Sequence, residues 1–186
     1  MRKRLFIAIP LPEYLKAALA ECEIHHPIPG LRWIGAENLH ITVLFLGYTD
    51  EEILPRVEEK ARIVCSGAQP FSLAFERLCF APPGRPARMI WAVFLDGGEC
   101  KDLSQTMHNA LREFGFPDTR NKESIVHITL ARFREPSVAR AVKLQQPEIQ
   151  KRAFEVTSCQ LMESKLMRSG AEYKVIARFA FEGERG

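Results

Sequence analysis

The chain has 186 residues, 26 Lys and Arg against 23 Asp and Glu, five His and 46% hydrophobic content. That suits one compact domain or two tightly packed small lobes and is too much for a disordered or fibrous chain. The net charge of +3 provides no basic track for a long duplex, so any nucleic-acid contact is expected to be local, at a short or terminal segment.

Met1-Arg2-Lys3-Arg4 followed by Leu5 to Ile9 imitates the start of a secretory signal, with Ala18-Leu19-Ala20 imitating a cleavage site. The apolar run is too short, however, and Pro10 and Pro12 close it. The pattern instead predicts a first strand leading into a helix over Leu11 to Ile24, with Leu15, Leu19 and Cys22 on one face. No apolar run of about 18 residues occurs, so a cytoplasmic chain without a membrane-spanning helix is expected. His25 to Gly30 reads as a turn, and Leu39 to Tyr48 as a strand. Plain alternation there puts Ile41, Val43 and Phe45 on one face and His40, Thr42 and Leu44 on the other.

Asp50 is placed to cap a helix over Glu51 to Val64, apolar at Ile53, Val57, Ala61 and Val64, with Gly67 beyond its end. Strands follow at Phe71 to Phe80 and Met89 to Leu95, separated by a Pro/Gly-rich loop. A helix over Lys101 to Phe114 ends at Gly115 and Pro117, and a charged linker runs from Asp118 to Glu123. A strand is predicted at Ile125 to Phe133 and a short helix at Ser137 to Leu144. The strands Phe154 to Lys165 and Glu172 to Phe181 complete a hairpin through Arg168-Ser169-Gly170. The sum is an α+β fold. Cys22, Cys65, Cys79, Cys100 and Cys159 form no C-x-x-C pair and no Cys/His cluster, which reads as reduced thiols and not a zinc set.

One local repeat stands out. His40-Ile41-Thr42-Val43-Leu44 recurs as His127-Ile128-Thr129-Leu130-Ala131, 87 residues later (127 − 40). In a strand the period of two puts each imidazole and its threonine hydroxyl side by side. A single such motif reads as a satisfied core or edge histidine; two copies point to a shared site. The chemistry that fits is in-line attack at a phosphate, one imidazole taking a proton from the nucleophile and the other giving one to the leaving oxygen. Threonine hydroxyls can donate to the non-bridging oxygens and hold phosphorus between the rings. Two strand histidines without an H-x-H, H-x-x-x-H or acidic partner supply too few ligands for a metal site, so no metal or cofactor is called for.

These residues resemble the 2H phosphoesterases, and within them the RNA 2′,3′-cyclic phosphodiesterases, also called 2′-5′ RNA ligases. The likeness runs from Arg4-Leu5-Phe6-Ile7-Ala8-Ile9 through Trp33, Asn38 to Gly47 and Pro86 to Trp91. It continues to His127 to Arg132 and to Leu161 to Leu166 with Gly170 and Tyr173. The resemblance implies one bilobal domain over residues 1–186, with two pseudo-symmetric lobes of antiparallel sheet, helices outside, a central cleft, and terminal strands crossing between lobes. It implies hydrolysis of a terminal 2′,3′-cyclic phosphate to a 2′-phosphomonoester. His40 would be the proton donor, His127 the proton acceptor, and Thr42 and Thr129 the phosphate holders. The reverse reaction, 2′-5′ ligation, would exchange acid and base. The implied partners are RNA 3′ ends or nucleotides carrying cyclic phosphate, with the protein a monomer. A phosphate-gripping binding module, or a phosphodiesterase for another cyclic or 2′-5′-linked nucleotide, remain as alternatives. The family has proline before the second histidine where Val126 stands here, which bears on the loop Asp118 to Ser124 with Arg120 and Lys122.

Arg132 follows His127 by five positions, so plain alternation puts it on the opposite face, although the family favours an arginine there to contact phosphate. Phe6 reads as a core residue, as a strand aromatic usually is, with lining the cleft and stacking on a base as the alternative. Arg88, with Arg85, flanks a loop from which it could reach an RNA backbone. Trp33 and Trp91 read as packing anchors, and His25, His26 and His108 have no partner pattern.

Overall fold

The computed structural model describes residues 1–22, 28–117, 125–147, 153–167 and 170–182. Five continuous apolar residues, Leu5 to Ile9, make the first strand, β1 (Arg2–Pro10), and all five are buried. A strand buried on both sides reads as an unbroken apolar run. Leu5, Ile7 and Ile9 join the main core, while Phe6 and Ala8 belong with Met162 to a separate small cluster on the other face.

Pro12 fixes the start of α1 (Glu13–Ala20), its carbonyl accepting the N–H groups of Leu15 and Lys16. The helix is shorter at both ends than its periodicity predicts. A three-residue strand, β2 (Leu31–Trp33), follows between the turn and the strand that the sequence predicts, where no element is expected. The first motif opens β3 (His40–Asp50). Asp50 caps nothing: its carboxylate pairs with Arg2 at 3.1 Å, and a 3-10 turn at Glu51–Ile53 precedes α2 (Leu54–Ser66). Proline in the first turn of α2 has no N–H to lose there and a φ already suited to the helix, and Val57, Ala61 and Cys65, four apart, form its buried stripe.

The strands β4 (Phe71–Ala81) and β5 (Met89–Leu95) pair antiparallel. The helix α3 (Glu99–Leu111) begins earlier than its apolar spacing indicates, because the Asp96 carboxylate accepts the Cys100 N–H at 3.1 Å. Gly98, at φ +117, makes the turn into it, a conformation that L side chains rarely adopt. The second motif opens β6 (His127–Phe133), and the helix expected at Ser137 to Leu144 is a 3-10 turn, Pro136–Ala141. The single strand expected over Phe154 to Lys165 is two, β7 (Ala153–Val156) and β8 (Ser158–Met167), broken at Thr157, and β9 (Gly170–Ala180) is last. The hairpin positions Arg168 and Ser169 lie outside the described residues.

One curled antiparallel sheet runs in the order β7-β4-β5-β6-β3-β1-β8-β9, with β2 added on β6. It divides into two four-stranded halves, β9-β8-β1-β3 and β6-β5-β4-β7, each with a motif strand at the inner edge. The halves meet through one residue pair, Ile41 opposite Ile128. The crossing of terminal strands happens at Thr157: β7 pairs with β4 in one half, and β8 returns to β1 in the other. Helix α2 packs on β8 and β9, α3 packs on β3, and the two helices pack on each other.

Because Ile128 is fully buried at this junction, Ile128→Ala is expected to lower unfolding stability by about 2–5 kcal/mol. Urea titration should show a lower midpoint with an unchanged slope.

Candidate active site

Antiparallel pairing of Ile41 with Ile128 sets His40 beside Thr129 and Thr42 beside His127. Both isoleucines point into the main core, so all four polar motif side chains lie on the other face. The structure therefore brings the two histidines and two threonines into one cleft. His127 is close enough to His40 that charge on its ring would disfavour charge on the His40 ring.

A β-bulge then breaks the alternation in both strands, at equivalent places. Against β1, Ile7 faces Leu44 and Ala8 faces Thr42, leaving Val43 without an opposite number. Against β5, Ile90 faces Ala131 and Trp91 faces Thr129, leaving Leu130 without one. Val43 and Leu44 are consequently both buried, as are Leu130 and Ala131. An extra residue in one strand turns the following side chains to the opposite face. Leu44 thus belongs to the core and not to the histidine face. Arg132 and Phe45, which plain alternation assigns to the far face, both come round into the cleft. Arg132 is exposed, its guanidinium acts on both imidazoles, and its Nη1 donates to Sδ of Met89 at 3.3 Å. Phe45 is its counterpart in the repeat, opposite Phe6 and 45% exposed.

Each imidazole is oriented in the same way. His40 Nδ1 donates to the Asn38 carbonyl at 2.7 Å, and His127 Nδ1 to the Ile125 carbonyl at 2.8 Å. A carbonyl only accepts, so the proton sits on Nδ1, and Nε2 of each ring is left to take or deliver a proton. Aromatic rings hold both in place. Trp91 stacks on His127 with centroids 3.7 Å apart, and Phe6 and Tyr173 pack against His40 at 4.8 and 5.0 Å. Among the described residues no group of three or more His, Cys, Asp or Glu is arranged to hold a metal ion.

A family model described as LigT like Phosphoesterase matches residues 7–91. The RNA 2′,3′-cyclic phosphodiesterase of Archaeoglobus fulgidus is 34% identical over 95% of this chain and 99% of its own length. The chain belongs to the LigT-like (2H) phosphoesterases. The protein of the same name from Thermus thermophilus is 28% identical over 98% of this chain and 92% of its own. A crystal structure from that organism superposes with a TM-score of 0.84, at 28% identity, covering 98% of this chain and 100% of the other. LigT of Escherichia coli, solved with 3′-AMP, shares the fold at TM-score 0.80 and 23% identity, over 97% of this chain and 99% of its own.

The other residues that the sequence marks as candidates take varied places around this LigT-like site. Phe6 is only 2% exposed, so it offers no face to a base and serves as the floor beneath His40. Arg88 and Arg85 are exposed beyond the end of β5, at the rim. Trp91 does more than anchor packing, since its ring is the surface on which His127 lies. Tyr173 and Phe45 also belong to the cleft, although neither carries a local signal of a site: Tyr173 stands out only through the family resemblance, and Phe45 only through a bulge that no residue type announces. His108 is buried on α3, the helix that packs on β3. His25, His26, Arg120 and Lys122 lie outside the described residues. The Val126 carbonyl accepts the Phe94 N–H at 2.9 Å, a bond that the family's proline would also allow.

Burial pushes both imidazoles below the ordinary 6.5. Arg132 adds to this at each ring and His127 adds to it at His40, while the two carbonyl hydrogen bonds work in the opposite direction. The unfolded chain therefore binds more protons than the folded one just below pH 6.5, and stability rises with pH across that window. Denaturant unfolding should show stability lost as pH falls from 6.5 towards the lowered folded values, with a smaller loss in a His40→Gln/His127→Gln double variant than in the wild type.

Proposed function

We propose that this chain hydrolyses the terminal 2′,3′-cyclic phosphate of RNA to a 2′-phosphomonoester. The observation that carries the reading is the paired quartet, with two Nε2 atoms presented across one cleft and a threonine hydroxyl beside each. The Archaeoglobus and Thermus relatives named for this activity support it.

Nε2 of neutral His127 takes a proton from water as the water oxygen attacks phosphorus in line with O3′. The P–O3′ bond breaks as protonated His40 delivers its Nε2 proton to O3′, and phosphate stays on O2′. Thr42 and Thr129 donate to the non-bridging oxygens, and Arg132 offsets the charge that develops on them. Exchange with solvent returns the proton from His127 to His40. The scheme uses imidazole for both proton transfers and asks nothing of a metal or cofactor; run backwards, it joins a 2′-5′ bond with the roles exchanged.

We take residues 1–186 as one bilobal domain, acting as a monomer on RNA 3′ ends in the cytoplasm. Supporting this are the continuous sheet and five free thiols, as a reducing compartment maintains. No helix among the described residues is long and apolar enough to cross a membrane.

Purified protein with chelator should convert a short RNA ending in 2′,3′-cyclic phosphate to a 2′-phosphate end. His40→Ala and His127→Ala should each cut turnover by about 10²–10⁴-fold; retained turnover in both, or a 3′-phosphate product, sinks the mechanism. Saturable binding without turnover would identify a phosphate-gripping module instead. Since kcat/KM reports the free enzyme, and both imidazoles are displaced downward, its pH profile should be bell-shaped and fall as pH rises through 6.5.

A further inference from the structure

Arg32 on β2 stands directly opposite Arg132 on β6, so both side chains leave the sheet on the cleft face, from Cα atoms about 5 Å apart. Like charges opposite one another on one face destabilise a sheet unless something negative lies between them. Among the described residues neither arginine makes an ion pair. Beside them is a cavity of about 250 Å³ lined by Arg32, Trp33, Glu37, Asn38 and Glu172. It belongs to the His40 end of the cleft: the Asn38 carbonyl holds His40 Nδ1, and Glu172 adjoins Tyr173, whose ring meets His40 edge-on. Glu37 is engaged by the Asn38 side-chain amide at 2.9 Å. Glu172 lines the same cavity, so an anion entering it is drawn to Arg32 and repelled by both carboxylates.

We propose that this is a second phosphate site, in which Arg32 binds the internucleotide phosphodiester next to the terminal cyclic phosphate. The preferred substrate is then an oligonucleotide and not a lone cyclic nucleotide. The proposal rests on the catalytic reading above. If His40 protonates O3′, the ribose carrying O2′ and O3′ lies on the His40 side, and the RNA chain leaves its 5′ carbon towards this cavity. Arg132 neutralises the reacting phosphate, Arg32 the one behind it, and the uncompensated pair acquires the anions it lacks. The fork of an arginine suits each phosphate.

The test compares a mononucleoside 2′,3′-cyclic phosphate with a trinucleotide ending in the same group, for wild type, Arg32→Gln and Arg132→Gln. Arg32→Gln should lower the ratio of trinucleotide to mononucleotide kcat/KM by about tenfold or more, as loss of a charged hydrogen bond does. Its binding to RNA should lose about 0.7 from the log–log salt slope. Arg132→Gln should depress both substrates alike. An unchanged ratio in Arg32→Gln overturns the second site. If wild type turns over neither substrate, the catalytic reading fails. Affinities for a 2′-phosphate-ended trinucleotide and a nucleoside 2′-phosphate then decide the subsite: selective loss for the trinucleotide in Arg32→Gln supports it, and equal changes overturn it.

Discussion

The pairing of Ile41 with Ile128 is the contact on which the cleft depends. Among the described residues it is the one place where the two halves of the sheet meet as partnered strands, and both side chains are buried in the common core. Burying two isoleucines forces the residues on either side of each to face the other way, and those residues are His40, Thr42, His127 and Thr129. A slip of one residue would send a histidine into the core and an isoleucine into the cleft, so burial and catalytic geometry are fixed by the same register. The hydrophobic effect, which has no direction of its own, is in this way converted into the placement of two imidazoles.

The same symmetry would leave acid and base indistinguishable if nothing beyond the motif differed. The paired bulges supply the difference. In each strand an unpaired buried residue, Val43 or Leu130, swings a later side chain into the cleft. In one half that side chain is the apolar Phe45 and in the other the cationic Arg132. Antiparallel pairing carries Arg132 to the His40 end and Phe45 to the His127 end. The surroundings of the rings diverge as well, with Phe6 and Tyr173 around His40 and Trp91 flat against His127. A symmetric quartet therefore sits in an asymmetric field, with the cationic Arg132 at the His40 end and the apolar Phe45 at the other.

Orientation of the rings comes from the backbone. The carbonyl two residues before each histidine accepts its Nδ1 proton, so one tautomer is selected at both positions without an acidic partner. Burial and the nearby guanidinium hold both rings below their ordinary pKa, which favours the neutral imidazole at both positions.

Much of this is legible in the residues themselves. The repeated H-I-T carries its own evidence because strand periodicity is local, and the apolar runs and turn residues place β1, β3, β4, β5, β6 and β9 nearly where they lie. The residues cannot show that Leu44 and Ala131 face the core while Phe45 and Arg132 face the cleft, since a bulge is a property of two paired strands and not of one. Nor can they show β2, too short for a period, or the break at Thr157, which matters only because β7 and β8 find partners in different halves. Residue order is enough to specify the chemistry available, two imidazoles each with a hydroxyl two residues on. Which aromatic rings and which arginines surround them follows only from the folded chain, because those neighbours are set by cross-strand register between segments far apart in the sequence.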